Sequence, residues 1–229
     1  VCRVGDTYFD SLSKAVAAAE SNAIIYLLKD FHDGSISINK PLTILVDESV
    51  SADSITITKN TDGNLFNVMG AGFTFKLGSN NSTKKIILDG GGFWQSGSLL
   101  KTSGSNYAVV RTEAYNVTFR NNYTTGNGGG LYVGYCGQIY LFKSIVQNNY
   151  ATNGAGVFLE GSNPGFGRSQ MALFNAIIEN NVASNNGGGI YIVRKIITFV
   201  SSTIAQNTAG DNKSGAVYIQ AADIKRWKC

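Results

Sequence analysis

The chain has 229 residues, 15% of them charged, and a formal net charge of +4. This charged fraction lies below the roughly 25% of ordinary globular domains, and the weak, scattered positive charge does not indicate a nucleic-acid partner. No apolar run reaches the roughly 18 residues that span a bilayer, so we expect no membrane-spanning segment. The length suits one domain with a sizeable core, and the absence of a signal-peptide pattern indicates a mature, trimmed or partial chain.

Residues 1–22 predict an N-terminal cap made of a strand and a helix. Residues 1–9 supply the strand. Residues 10–21 predict a helix capped by Asp10 or Ser11, because four apolar residues recur at helical spacing. These residues are Leu12, Ala15, Val16 and Ala19. We expect this helix to cover the first unit of the fold, where core and strand edges would otherwise be exposed.

Short β-rich segments follow one another from residue 23 onward, separated by Asp, Gly, Asn and Lys. The segments before the clear repeats are 24–28, 35–38, 42–46, 55–58, 65–68, 73–77, 86–88, 99–101 and 108–110. Their similar spacing predicts that residues 23–229 form one solenoid of about eight coils.

Residues 116–220 repeat one pattern four times, in which an Asn-containing tetrapeptide precedes small residues and an aliphatic–aromatic–aliphatic triplet. The tetrapeptides are Phe119–Asn122, Val146–Asn149, Ile178–Asn181 and Ile204–Asn207. The triplets are Leu131–Val133, Val157–Leu159, Ile190–Ile192 and Val217–Ile219. The intervals between triplets are 26, 33 and 27 residues, and the long one contains a Pro/Gly-rich loop at 162–168. This period, in short strands without a helical stripe, predicts an all-β parallel β-helix.

Each part of the repeat has a mechanical interpretation. Alternation along the triplet sends both aliphatic side chains into the core and the aromatic ring outward. Glycines fit where stacked backbones leave no room for a Cβ atom. Asn suits a corner because it tolerates left-handed backbone, and Asn above Asn predicts a side-chain ladder. The glycine runs lack the Lys-Ser/Thr of a phosphate-binding loop, so we interpret them as structural.

The repeat resembles the polymorphic-membrane-protein repeat of chlamydial surface proteins, which combines a Phe-x-x-Asn tetrapeptide with a Gly-Gly-Ala-Ile-type one. Phe119 and Asn122 match the first signature, and the second appears in four variants. These variants are Gly129–Leu131, Ala155–Val157, Gly188–Ile190 and Gly215–Val217. The resemblance implies an extracellular, right-handed β-helix of the pectin-lyase type, used mainly in adhesion and surface display.

The outward aromatic of each triplet occupies the same place in four units. These residues, named the aromatic column below, are Tyr132, Phe158, Tyr191 and Tyr218. One interpretation is stabilisation by stacking, with each cross-strand pair contributing roughly 0.2 to 1 kcal/mol. The other is an exposed contact strip for sugar rings or for a neighbouring molecule.

Three cysteines, Cys2, Cys136 and Cys229, leave one unpaired. The two terminal ones cannot easily meet in an extended solenoid. Pairing with a neighbouring molecule, pairing of Cys2 or Cys229 with Cys136 or with a cysteine outside this chain, and a half-buried free Cys136 all stay open.

Five Asn residues lie in glycosylation sequons. They are Asn80, Asn81, Asn116, Asn122 and Asn212. Adjacent Asn80 and Asn81 are not expected to be used together, and Asn122 is the weakest candidate because it belongs to a corner.

No catalytic or metal-binding constellation stands out. His32, the only histidine, has only Asp30 and Asp33 beside it, so we read it as part of a surface turn without metal. The 15 acidic residues are spread thinly, which favours a non-enzyme without cofactor. We expect an extracellular or cell-surface structural and adhesive protein that presents a rigid face for self-assembly or attachment. Its expected partners are its own copies, other extracellular proteins and glycans; a carbohydrate-binding or polysaccharide-processing protein is the alternative.

Overall fold

The computed structural model describes residues 1–105, 108–161, 169–193 and 195–220, with only the backbone of Ile196. The inserted loop predicted at residues 162–168 and the cysteine at the end of the chain, Cys229, therefore lie outside the described residues.

The described residues form 25 strands and one α-helix. In chain order, the first elements are β1 (Cys2–Val4), β2 (Thr7–Phe9), α1 (Leu12–Ala18), β3 (Ile24–Leu27), β4 (Phe31–Asp33), β5 (Ile36–Ile38), β6 (Thr43–Val46), β7 (Ser54–Lys59), β8 (Phe66–Gly70), β9 (Thr74–Leu77), β10 (Lys85–Asp89), β11 (Leu100–Gly104) and β12 (Val110–Tyr115). The remaining elements are β13 (Val117–Arg120), β14 (Leu131–Val133), β15 (Gly137–Phe142), β16 (Ile145–Gln147), β17 (Tyr150–Ala151), β18 (Val157–Leu159), β19 (Gln170–Phe174), β20 (Ile177–Glu179), β21 (Val182–Ala183), β22 (Ile190–Val193), β23 (Ile196–Val200), β24 (Thr203–Ala205) and β25 (Val217–Gln220).

Most of the strands form three long sheets, and from β3 onward these strands belong to the first, second and third sheet in turn along the chain. The first sheet runs β3-β6-β9-β12-β15-β19-β23, the second β4-β7-β10-β13-β16-β20-β24, and the third β5-β8-β11-β14-β18-β22-β25. Within each of these series every pairing is parallel, so each strand lies beside its counterpart from the preceding stretch of chain. We call one strand from each sheet, taken in chain order, a unit. The described residues contain seven units, against the eight or so expected.

The register aligns the repeat as the sequence predicts. Leu131 lies opposite Val157, Val157 opposite Ile190, and Ile190 opposite Val217. The first three of these side chains are fully buried, and Val217 packs, partly buried, against the same core. Because strand residues alternate between two faces, one apolar core lies between the three sheets and the intervening residues point outward.

Glycines lie where neighbouring units approach each other too closely for a side chain. A Cβ atom on Gly130 would lie 2.7 Å from the carbonyl oxygen of Gly156, and one on Gly156 would lie 2.5 Å from that of Gly189. This crowding is the reason predicted for the glycine runs.

Corners between sheets are made by residues with left-handed backbone. Between the first and second sheets these residues are Asn116, Lys143, Asn175 and Ser201, with φ between 47° and 57°. After the second sheet they are Asn121, Asn148, Asn180 and Gln206, with φ between 54° and 58°. Asn predominates because its short polar side chain reduces the cost of this conformation.

Helix α1 is shorter than predicted, seven residues from Leu12 to Ala18, and Ser11 is its N-cap. The Ser11 side chain accepts a hydrogen bond from the Lys14 N–H at 3.3 Å. All four predicted apolar residues are buried in the common core. At this end β1 pairs antiparallel with both β2 and β3.

The predicted surface turn around His32 is wrong, because residues 31–33 form strand β4. His32 points outward and is exposed, whereas Phe31 and Asp33 point inward. The Asp33 carboxylate accepts hydrogen bonds from the N–H groups of Leu12 (2.9 Å) and Ser13 (3.1 Å). A buried carboxylate thus satisfies the free donors at the start of α1.

Candidate functional site

The aromatic column lies on the outer face of the third sheet as one continuous stack. Ring centroids are 5.2 Å apart for Tyr132 and Phe158, 5.2 Å for Phe158 and Tyr191, and 4.9 Å for Tyr191 and Tyr218. The rings are inclined to one another by 31° or less. Each inner ring therefore has a neighbouring ring against both of its faces.

This packing leaves Phe158 buried and the other three rings of the column half-buried. Phe158 is only 7% exposed, and the Lys101 ammonium lies 4.9 Å from the Tyr132 ring centroid. Sugars stack on the face of an aromatic ring, and the inner faces here are covered. The geometry therefore favours stacking over the exposed contact strip that the sequence also allowed.

Polar groups hold the edges of the column. Burial, together with the charge and hydrogen bond of Glu160, raises the pKa of the Tyr132 hydroxyl well above its usual range. The Tyr191 hydroxyl donates to Gln220 Oε1 at 2.6 Å. The column is thus fixed as part of the sheet, in keeping with a structural role.

A second aromatic stack, absent from the sequence analysis, lies on the first sheet. It consists of Tyr115, Phe142 and Phe174, the last residues of β12, β15 and β19, and we call it the three-ring stack. Its centroid distances are 4.6 Å and 4.9 Å, with the rings within 7° of parallel. The signal was an aromatic residue immediately before three of the four left-handed corner residues between the first and second sheets, outside the triplets on which the repeat was defined.

The predicted Asn ladder exists as a buried chain of hydrogen bonds. Its members, called the amide ladder below, are Asn122, Asn149, Asn181 and Asn207. The backbone N–H of each of the first three donates to the side-chain oxygen one unit later, at 3.0 to 3.1 Å. The side-chain nitrogens of Asn149 and Asn181 donate to the next side-chain oxygen at 3.0 and 2.9 Å. Each buried amide thereby satisfies backbone groups that the corner leaves unpaired.

Lys59 closes the first end of the amide ladder, a role that sequence analysis missed. Its side chain is almost fully buried, and its ammonium donates to Asn122 Oδ1 at 3.4 Å and to the Ser96 carbonyl at 2.5 Å. Burial lowers the pKa of Lys59 from 10.5 to about 8, while the Asp62 charge opposes this shift. The Lys59 ammonium thereby takes the place of the backbone N–H that an Asn of the preceding unit would donate to Asn122 Oδ1.

The sequons differ in accessibility. Asn122 is fully buried, and its amide nitrogen donates to the carbonyls of Gly97 and Gly129, so a glycan there is incompatible with this fold. The Asn116 amide donates to two backbone carbonyls. The side chains exposed to solvent are those of Asn80, Asn81 and Asn212.

Cys2 and Cys136 are free thiols, 0% and 1% exposed. Burial keeps both thiols from a neighbouring molecule while the chain is folded, which disfavours intermolecular disulfides through these two, and Cys136 is fully rather than half buried. Burial raises the pKa of Cys2 to about 11, which keeps its thiol protonated.

Phe93 and Trp94 are adjacent aromatic residues with 71% and 58% of their surface exposed to solvent. Among the described residues that follow β2, no other aromatic is as exposed. They follow glycines 90–92 in the connection between β10 and β11. Trp94 contacts Tyr150 edge to face, with centroids 4.8 Å apart. Sequence analysis missed this pair because it lies outside the repeat.

The described His, Cys, Asp and Glu side chains do not converge on a metal site. His32, Met69 and Cys2 lie on the second, third and first sheets respectively. The Met69 sulfur accepts a hydrogen bond from Asn67 at 3.1 Å. Within the described ranges, no three His, Cys, Asp or Glu side chains form a group that could hold a metal ion. A copper site built from imidazole, thiolate and thioether ligands does not fit these positions.

No helix among the described residues is long and apolar enough to cross a membrane. Searches of curated proteins and of solved structures found no match to this chain. A scan of family models matched residues 46–226 to NosD, described as a periplasmic copper-binding protein. This is a parallel β-helix family, as expected at the level of the fold, although it differs from the chlamydial repeat family. The match covers well over half of the sequence, and the chain therefore belongs to the NosD family.

Proposed function

We propose that the chain is an extracellular structural and adhesive protein whose rigid β-helix presents a surface for self-assembly or attachment. The word periplasmic in the family description supports a location outside the cytoplasm. The resemblance of the repeats to chlamydial surface proteins supports adhesion. Metal handling is less well supported, because the described His, Cys, Asp and Glu side chains form no group that could hold a metal ion.

The proposal includes a right-handed winding of the units and a cap at their first end. Helix α1 buries Leu12, Ala15 and Val16 in the core shared by the three sheets. Strand β1 adds antiparallel hydrogen bonds beside β3. Together these elements would cover the first unit, which limits edge-to-edge pairing there.

We propose a non-catalytic role because several carboxylates already serve structural contacts. Asp89 binds Arg120 at 2.6 Å, Asp47 binds Arg3 at 2.7 Å, and Asp33 binds the start of α1. Hydrolysis by paired acids needs two carboxyl groups facing one substrate. Release of reducing sugar from any of a set of plant and bacterial polysaccharides would contradict this part of the proposal.

The observation that supports the adhesive role best is the exposure of Phe93 and Trp94. The aromatic column stacks on itself, whereas this pair places two large rings in solvent on a rigid body. Exposed aromatic side chains of this kind are enriched at protein contacts. We therefore place the contact with a second copy or an extracellular surface at this pair.

The test compares the parent chain with the Phe93→Ala/Trp94→Ala double variant by sedimentation velocity over a wide concentration range. We expect the mean mass of the parent to rise with concentration and the double variant to stay monomeric. Tyr191→Ala, which removes an aromatic from the column, is the control and should associate like the parent. A parent that stays monomeric and attaches to no cell or matrix surface would contradict the proposal.

A further inference from the structure

A groove beside Tyr115 arises from one irregular connection. In later units the first and second sheets are joined by one or two residues, such as Asn116 alone between β12 and β13. One unit earlier, residues 78–84 make this connection between β9 and β10. The longer connection stands beside the three-ring stack and encloses a cleft of about 300 Å³, the Tyr115 groove.

The ring of Tyr115 has one covered face and one open side. Phe142 covers the first face at 4.6 Å and 7°. In the preceding unit the register partner of Ala114 is Leu77, so Gly78 lies beside Tyr115 and supplies no side chain. The Tyr115 hydroxyl donates to Glu113 Oε2 at 2.9 Å, which fixes the orientation of the ring. An aromatic platform is therefore held in place at the groove.

The wall of the groove is fixed in position. The Asn116 side chain donates to the carbonyls of Thr83 (3.0 Å) and Lys84 (3.2 Å). Ser82 Oγ donates to Glu48 Oε1 at 2.7 Å, and the Lys84 ammonium donates to the Val50 carbonyl at 2.8 Å. These contacts tie residues 78–84 to both neighbouring connections. A ligand would thus meet a preformed site and would not have to order the loop.

The lining chemistry suits a neutral or weakly acidic sugar. Ser79, Asn80 and Asn81 line the groove together with Tyr115 and supply hydroxyl and amide groups, and Lys143 contributes the one cation of the lining. Pyranose rings offer an apolar face for the aromatic platform and hydroxyls for these polar groups. The volume lies at the small end of ligand sites, which corresponds to one or two sugar residues.

We infer that the Tyr115 groove binds a sugar residue of an oligosaccharide chain. The inference does not depend on the self-association proposed above, since Phe93 and Trp94 do not line the groove. The sugar has two possible sources, because Asn80 and Asn81 lie in sequons at the rim. A free or surface glycan is one, and a glycan attached to this chain is the other.

The experiment uses the full chain made in a host without N-glycosylation. It is titrated by calorimetry with soluble hexasaccharides of glucose, N-acetylglucosamine, galactose and galacturonate. We expect at least one to bind, and Tyr115→Ala to weaken it about tenfold through loss of the platform. Phe174→Ala is the matched control, because it removes the other end of the three-ring stack and leaves the groove lining unchanged. Asn81→Ala, at an exposed position, should weaken binding about threefold without altering the fold.

The attached-glycan arm uses protein from a glycosylating host, with Tyr115 ring resonances followed by NMR. A shift of these resonances on glycosylation, lost in Asn80→Gln/Asn81→Gln, would identify the attached source and also support the inference. Absence of binding by all four probes together with unshifted resonances would overturn it. Equal weakening by Tyr115→Ala and Phe174→Ala would also overturn it, because the effect would then come from stability alone.

Discussion

Residues 116–220 and residues 23–115 build the same three sheets by different means. In the later region, the amide ladder and left-handed Asn corners repeat from unit to unit. In the earlier region, connections 47–53 and 78–84 replace the short corners, and Lys59 replaces an Asn. A few polar residues therefore suffice to set a regular backbone. Where they are missing, contacts particular to one unit hold the chain and leave room for a groove.

The largest expected effect is the loss of one ladder amide in the regular region. Asn149→Ala removes the acceptor of the Asn122 N–H and the donor to the Phe119 carbonyl, both buried. We expect the free energy of unfolding to fall by roughly 3 to 5 kcal/mol, measured by urea denaturation. The control is Asn153→Ala, whose partly exposed amide donates to Asn127 and accepts from the Asn185 amide and the Asn186 N–H, and its loss should cost about 2 kcal/mol. Equal costs would mean that the amide ladder is not what sets this region apart.

A crowded glycine of the regular region should matter more than an open one. Gly154 has φ 57°, and a Cβ atom there would lie 2.3 Å from the Val157 carbonyl oxygen. We expect Gly154→Ala to lower the free energy of unfolding by about 3 kcal/mol, because strain and collision add. In the earlier region, Gly72 has φ 70° with no atom within 4 Å of such a Cβ. Gly72→Ala should cost about 1 kcal/mol, and thermal unfolding of the pair that gives the opposite order would refute this.

Burial of Lys59 predicts a pH dependence of the stability of the earlier region. The folded pKa, about 8, is lower than the unfolded value of 10.5, so the unfolded chain binds more protons between these values. The parent should therefore gain stability as pH rises from about 8 to 10.5, relative to Lys59→Met. Urea midpoints of both proteins across this range provide the measurement. Parallel pH profiles would show that Lys59 is not buried at the end of the amide ladder.

The smallest effect should come from the aromatic column. Tyr191 stacks on Phe158 and Tyr218 at the outer face, and such cross-strand pairs contribute modestly. Tyr191→Ala should lower the free energy of unfolding by about 1 kcal/mol without changing saccharide binding. Chemical denaturation and a glycan array test the two parts. A loss of glycan signal would restore the contact-strip interpretation of the column.

The regular region could be predicted from sequence because its signals repeat. The alignment of Leu131, Val157 and Ile190 and the Asn ladder both follow from a constant period. The hydrogen bonds to the side-chain oxygens of the amide ladder could be predicted, because Asn residues at the same position of successive units lie next to each other.

The earlier region could not be predicted in this way, since its contacts join residues distant in sequence and of unlike type. Asp33 binds the start of α1, and Lys59 reaches Asn122 across the intervening unit. The exposure of the aromatic column also escaped sequence reasoning, because alternation gives a side chain's direction and not its neighbours. The Tyr115 groove depends on a missing side chain at Gly78, which has no pattern of its own.

The central claim is that equivalent residues of successive units lie in columns one strand spacing apart. On the outer face of the second sheet, one column runs from Thr56 through Ile87, Thr118, Ile145 and Ile177 to Thr203. Spin labels on Thr56→Cys and Thr203→Cys, in a Cys229→Ser background where Cys2 and Cys136 stay buried, allow a pulsed dipolar distance measurement. We predict a narrow distribution near 24 Å for five spacings, shortening by about 5 Å when the second label moves to Ile177→Cys. A broad distribution, or a distance that does not shorten by one spacing, would contradict the account.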